Sequence, residues 1–355
     1  MLIYWILLAF PALMAIAYPV SADRARTGPA QGLALAFFLV LYTGIAALRF
    51  ETGGDWLTYD LLYDDIRTDT FAHALSVTDP LYGLLNWIGA ETGLGIYFVN
   101  AVCGWVLSYG VVKVALRFRE PWLAITMAVP YLLIVVGLGY VRQGAAIGVI
   151  LLAIASFDQS KPLRTLIYLM VAMAFHATAV VTLPMFTYAV TARHKMLGVL
   201  IAVLGVAVFY LLLAPRIEVF EAGYVANEYD SGGTLTRLLM SLIPSLLLLL
   251  RWRNFGTSVR VRSVWVSIAI ANFAALAALG LVSSSTAVDR IALFFSPIQI
   301  AVMGEFRSLV PLARRFTIPT RLALIAVAAM VQVVWLVYAT HAEFWVPYRS
   351  VLEFL

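Results

Sequence analysis

Charged side chains are scarce in this sequence: 12% of its 355 residues are Asp, Glu, Lys or Arg, about half the roughly 25% of a soluble domain. That shortage excludes a water-exposed polar surface, and with it a separate soluble catalytic domain or a DNA-binding domain. There is one cysteine, Cys103, inside an apolar run, so neither a disulfide scaffold nor a thiolate zinc site is available. The four histidines, His73, His176, His194 and His341, stand far apart, with no second His or Cys at ligand spacing, and no metal is expected. Lysine occurs three times, at positions 113, 161 and 195. Low-complexity tracts, internal repeats and shifts of composition are missing as well, so residues 1–355 read as one integral domain.

Hydrocarbon fills the rest. Hydrophobic residues make up 63% of the chain and the mean hydropathy is +0.93. A bilayer-spanning helix takes about 20 apolar residues, which leaves room for about ten to twelve spans. Apolar runs stand at 2–20, 31–48, 94–116, 121–138, 139–157, 163–190, 197–214, 235–250, 264–282, 291–303 and 322–340. Their length and continuity make them helices. The expected fold class is all-α, a polytopic transmembrane helical bundle. Val20-Ser21-Ala22 resembles a leader cleavage site, but no positive charge precedes the first run, and an uncleaved first span is expected.

Sidedness, rather than nucleic acid, accounts for the pI of about 9.3, because Lys and Arg collect on the cytoplasmic side of a membrane protein. With Arg24 and Arg26 inside, the acidic segment 49–80 lies outside, and Arg117, Arg119, Lys161 and Arg164 return inside. The run 163–190 decides the remainder. As one helix it would export Arg193, Lys195 and the arginines at 251, 253, 260 and 262; as a hairpin or re-entrant pair turning near His176 it keeps them all inside. The hairpin is expected, with halves short for full spans. On that topology 17 basic and 4 acidic residues are inside, against 7 basic and 15 acidic outside, and all seven outer cations are arginine. Larger external loops are expected at 49–80 and 215–234. A short helix carrying Leu81, Leu84, Leu85 and Ile88 is expected to lie on the outer surface.

Arg49 opens the first outer segment, followed by Gly53-Gly54, Asp55 and Tyr59. The paired glycines permit a tight turn, which would swing Asp55 toward Arg49; a polar loop meeting headgroups is the plainer reading of both. Arg142 and Gln143 lie early in an apolar span, where an arginine costs about 2.5–3.5 kcal/mol on insertion scales. Either a buried anion or snorkelling to the headgroups would offset that cost. His176 sits where the hairpin turns, and Asp289-Arg290 stands at the outer start of a short span, as a helix cap or as part of a site. Arg49, Arg142, Arg290, Asp55 and His176 thus all map to the outer half of the membrane. Two or three arginines around one cavity would hold a diphosphate through bidentate bonds and stabilise it as a leaving group. A carboxylate or imidazole beside them would serve as general base.

This constellation resembles the EpsG-like proteins among the Wzy-type polysaccharide polymerases. Arg49, Gly54-Asp55 and Tyr59 match that family's Arg, Gly-Asp and Tyr in the first outer loop. Arg142-Gln143-Gly144-Ala145-Ala146, His176-Ala177-Thr178 and Arg290 before Phe294-Phe295 follow in order. Ala177 departs from the proline that is frequent after the histidine. The resemblance implies a polymerase at the outer, periplasmic face of the bacterial cytoplasmic (inner) membrane, acting on undecaprenyl-diphosphate-linked oligosaccharides. A hydroxyl of one lipid-linked repeat attacks the anomeric carbon of a chain on another carrier, and undecaprenyl diphosphate leaves, without a cofactor or metal. The implied roles are diphosphate binding for Arg142 and Arg290, and for Arg49 either that or holding Asp55. Proton transfer or sugar orientation falls to His176 or Asp55, and substrate contact to Gln143 and Tyr59. Membrane lipids and a chain-length regulator or export complex are the expected partners, and nucleic acid is not. An O-antigen-ligase-like transferase, a transporter or flippase of lipid-linked oligosaccharide, and a membrane acyltransferase built on His176 stay open as alternatives.

Overall fold

Several helices start on a proline: Pro29, Pro80, Pro121 and Pro162 each stand in a first turn, where a missing N–H costs nothing. The computed structural model describes residues 1–18, 28–158, 160–191, 233–281, 285–315 and 317–353, with isolated positions 196, 199, 203 and 207. Arg24, Arg26, Arg193, Lys195, most of the run 197–214 and nearly all of the loop 215–234 lie outside the described residues.

In chain order the described helices are α1 (Leu2–Ala17), α2 (Pro29–Leu48), α3 (Trp56–Arg67), α4 (Phe71–Val77), α5 (Pro80–Glu91) and α6 (Gly95–Ala115). They continue as α7 (Pro121–Gly139), α8 (Val141–Ala155), α9 (Pro162–Phe175), α10 (Leu183–Thr191), α11 (Thr234–Arg251), α12 (Val259–Leu279), α13 (Ser285–Ala292), α14 (Ile298–Gly304) and α15 (Thr317–Tyr338). Six of them, α2, α6, α7, α11 with the turn that follows it, α12 and α15, are long and apolar enough to cross a membrane. Polytopic helical architecture is therefore what the chain adopts.

The helix α7 is the axis of the bundle: its apolar window is 100% buried, against 28% for α2 and α15. Near its middle, Val129–Val136 loosens into π-helical turns, and Pro130 there offers no N–H to the helical ladder. Beside it α6 and α8 approach through Gly110 and Gly148, where a Cβ on Gly110 would strike the Gly148 carbonyl; small residues of this kind let helix backbones touch inside a membrane.

The run 163–190 does turn back. The helix α9 ends at His176, whose backbone is extended (φ −158°, ψ 113°), a 3-10 segment Ala177–Thr182 follows, and α10 returns. Its Phe186 packs on Phe157, 5.9 Å between rings, and Phe157 lies just before the start of α9. Two other expectations change. The run 291–303 is not one helix: α13 ends at Ala292 and α14 starts at Ile298, with Pro297 at the break. Asn272 and Ser245 cross-link there, the Asn272 amide donating to the Phe295 carbonyl (3.3 Å) and to Ser245 Oγ (3.2 Å), which satisfies backbone freed by the break. The helix expected on the outer surface is α5, and it is wedged into the bundle, with Tyr82 and Asn86 at 0% exposure.

The segment after α15 folds back into the protein. Trp345 is buried and donates its indole N–H to the Ile134 carbonyl (3.1 Å), within the π-helical stretch of α7. Residues 349–350 pair antiparallel with 49–50, Arg49 opposite Ser350. At the opposite, arginine-rich end, buried Glu120 accepts from Arg321 (2.8 Å) and Arg307 (3.4 Å), tying the α6–α7 connection to the last third of the chain.

Candidate active site

The segment 49–94, expected outside, is helical rather than loose, and it carries the acids that meet Arg142 and Arg290. Thr70 caps α4, its hydroxyl accepting from the His73 amide, and α4 packs on α5 so that Thr78 and Asp79 are buried just before Pro80. Asp79 is the hub. Its Oδ2 accepts from Arg142 Nη1 at 3.1 Å and lies 3.4 Å from His176 Nδ1, while Oδ1 accepts from the Ala177 amide at 3.1 Å. Burial, the largest influence, pushes the Asp79 carboxyl upward, but the His176 and Arg142 contacts and the Ala177 amide outweigh it and hold it below its ordinary value. Asp79 is a carboxylate at neutral pH.

Arg142, in the first turn of α8, also donates to Thr78 Oγ1 (3.0 Å) and lies over the rings of Tyr59 and Tyr82 at 5.6 and 5.7 Å. Its buried Nε has no hydrogen-bond partner. His176 stacks on Phe294 with 6.3 Å between ring centroids and 16° between planes, so the break after α13 supports the ring that Asp79 orients. Arg290 approaches from α13. Its guanidinium sits 3.9 Å over the Tyr140 ring, and its Nη2 lies 3.4 Å from Asp55 Oδ1, both side chains about a quarter exposed. Tyr59 is within electrostatic reach of Asp55, Arg142 and Arg290, as is His176 of both arginines. One more pair stands close by: Arg237 Nε donates to Asp289 Oδ1 at 2.7 Å.

The structure therefore brings Asp55, Arg142, His176 and Arg290 together and gives three other expected residues different work. Arg49 is only 1% exposed. It donates to the Thr52 carbonyl, to the Leu138 carbonyl (2.5 Å) and to Asn100 Oδ1 (2.9 Å), and lies over Trp56 at 4.9 Å. These bonds brace the scaffold, while Asp55 pairs with Arg290 instead. The Gly53-Gly54 turn does form, with Gly53 at φ +106° against the Leu138 carbonyl, but it delivers Asp55 to Arg290. Gln143 is 2% exposed and donates its amide to the Arg290 carbonyl at 2.5 Å, positioning that arginine. Tyr59, also 2% exposed, backs Arg142.

Sequence reasoning missed Asp79 and the partner of Asp289. Thr-Asp-Pro before a helix reads as a cap, and no local pattern reveals a partner 97 positions away. The signal that existed was physical: an arginine at membrane depth needs an acid. Among the described residues no group of three or more His, Cys, Asp or Glu side chains could hold a metal ion.

The sequence profile of the EpsG family matches residues 33–350, a range that includes every residue of this cluster. The chain belongs to the EpsG family. That family is one of Wzy-type polysaccharide polymerases. Comparisons with curated proteins and with solved structures give no match. Within the EpsG profile, the match runs from the middle of α2 through the returning segment 349–350, so the pairing that closes the scaffold around Arg49 belongs to the matched range.

Proposed function

We propose that this EpsG-family chain is a polysaccharide polymerase that transfers a growing glycan from undecaprenyl diphosphate to a hydroxyl of a second lipid-linked repeat unit. The observation that supports it most is the convergence of Arg142 and Arg290 on a histidine oriented by a buried carboxylate. The positive-inside bias favours an outward placement of this end of the bundle; on this reading it faces outward from the bacterial cytoplasmic membrane, where lipid-linked repeats would reach it.

In the reaction the acceptor oxygen attacks the anomeric carbon. The bond from that carbon to the diphosphate oxygen breaks, and its electron pair departs with undecaprenyl diphosphate. The acceptor proton passes to His176: with Nδ1 facing Asp79, the ring presents its other nitrogen as the base, the arrangement by which a carboxylate fixes a histidine tautomer. Arg142 and Arg290 receive the charge that builds on the leaving group. The Arg290 pair with Asp55 is long and part-exposed, and in this mechanism Arg290 exchanges that carboxylate for a phosphate. Product identity separates this reaction from transfer to a different acceptor or from transport of intact donor.

Arg142→Ala, in protein that still inserts, is expected to abolish polymer while single lipid-linked repeats accumulate. Normal chain lengths in that variant would overturn the proposal.

A further inference from the structure

A cavity of about 900 Å³ lies at the other end of the bundle, far from the arginine and histidine cluster in the fold. It is framed by the last turns of α6 and α8 and the first turns of α9 and α12, the end where the positive-inside bias places the cytoplasm. Lys113, Arg117 and Arg164 line it, and Asp158 is the one acid in its wall. Asp158 already accepts from the Ser160 amide at 2.9 Å. Neither Lys113 nor Arg117 has an acidic partner among the described residues; Lys113 lies 5.1 Å over the Tyr109 ring, and Arg164 donates to the Ser156 carbonyl. The Thr257 hydroxyl, also in the wall, is buried without a hydrogen-bond partner.

Unpaired cations and an unused hydroxyl around one space call for an anion rich in acceptors. Leu116, Leu152, Ile154 and Val261 add an apolar stretch to the wall, which a free inorganic anion would not use. A ligand with a phosphate head and a hydrocarbon body satisfies both halves, and basic pockets between helices on the cytoplasmic side are where anionic headgroups bind. We infer that this cavity is a binding site for an anionic phospholipid of the inner leaflet, its phosphate held by Lys113, Arg117 and Arg164. The inference is independent of the polymerase reaction, since none of these residues takes part in it.

The test is native mass spectrometry of the delipidated full chain, titrated in detergent with phosphatidylglycerol or phosphatidylcholine. Phosphatidylglycerol is expected to bind about tenfold more tightly, and the double variant K113Q/R117Q to lose that preference. R253Q, an arginine of the same face outside the cavity, is expected to keep it. Equal binding of the two lipids, or an unchanged preference in K113Q/R117Q, would overturn the inference. So would displacement of the lipid by inorganic phosphate, which would mark a soluble-anion site instead. If the double variant aggregates, R117Q alone, at an exposed position, carries the same comparison with a smaller expected loss.

Discussion

Asp79 Oδ2 lies 3.4 Å from His176 Nδ1, joining the segment between α2 and α6 to the tip of the hairpin 97 positions later. The same oxygen accepts from Arg142, so one carboxylate sets both the proposed base and one of the arginines proposed to bind the diphosphate. Its removal acts on the reaction through those two side chains.

Asp79→Asn is expected to lower kcat about 100-fold, within the range of general acid–base contributions, with a smaller change in KM. The acidic limb of the pH–rate profile is expected to move to lower pH, because the carboxylate that favours the imidazolium is gone. A rate loss with an unmoved profile would mean that Asp79 only braces the fold.

Among the described residues, Arg290 with Asp55 is the longest arginine and aspartate pair, 3.4 Å against 3.1 Å for Arg142 with Asp79 and 2.7 Å for Arg237 with Asp289. In the proposed reaction Asp55 therefore competes with the diphosphate for Arg290. Asp55→Asn is expected to tighten product inhibition by undecaprenyl diphosphate about two- to fivefold, the size of a part-exposed ion pair. Arg290→Ala is expected to weaken it. Steady-state inhibition constants check both, and equal constants in wild type and Asp55→Asn would remove the exchange from the mechanism.

Arg49 separates scaffold from chemistry. Replacing it with Met strands the Thr52 and Leu138 carbonyls and the Asn100 side chain in the interior, at about 1–3 kcal/mol for each unsatisfied group. A clear drop in the thermal midpoint of the purified protein is expected. An unchanged midpoint with activity lost would instead return Arg49 to the diphosphate.

The spans were legible because lipid imposes a length on them, and α2, α6, α7, α12 and α15 follow the apolar runs closely. The hairpin at His176 was legible for a different reason: only a turn there kept the later arginines on one side, and Phe186 packed on Phe157 is the geometric form of that constraint. Pairings were not legible. Nothing local in Thr78-Asp79-Pro80 points to His176, and nothing in Trp345 points to the Ile134 carbonyl, since both depend on how separate segments stack. The scaffold contacts of Arg49 were not legible because depth and charge are the same whether a guanidinium meets a ligand or backbone carbonyls; the Leu138 and Asn100 contacts appear only once the segments are packed.

The most direct test uses the purified protein in proteoliposomes supplied only with an undecaprenyl-diphosphate-linked repeat unit. The account predicts a ladder of lengthening glycans on the lipid, with one undecaprenyl diphosphate released for each new linkage and none from Arg142→Ala protein. Movement of intact donor across the bilayer with no bond formed, or transfer of glycan only to a different acceptor, would contradict it.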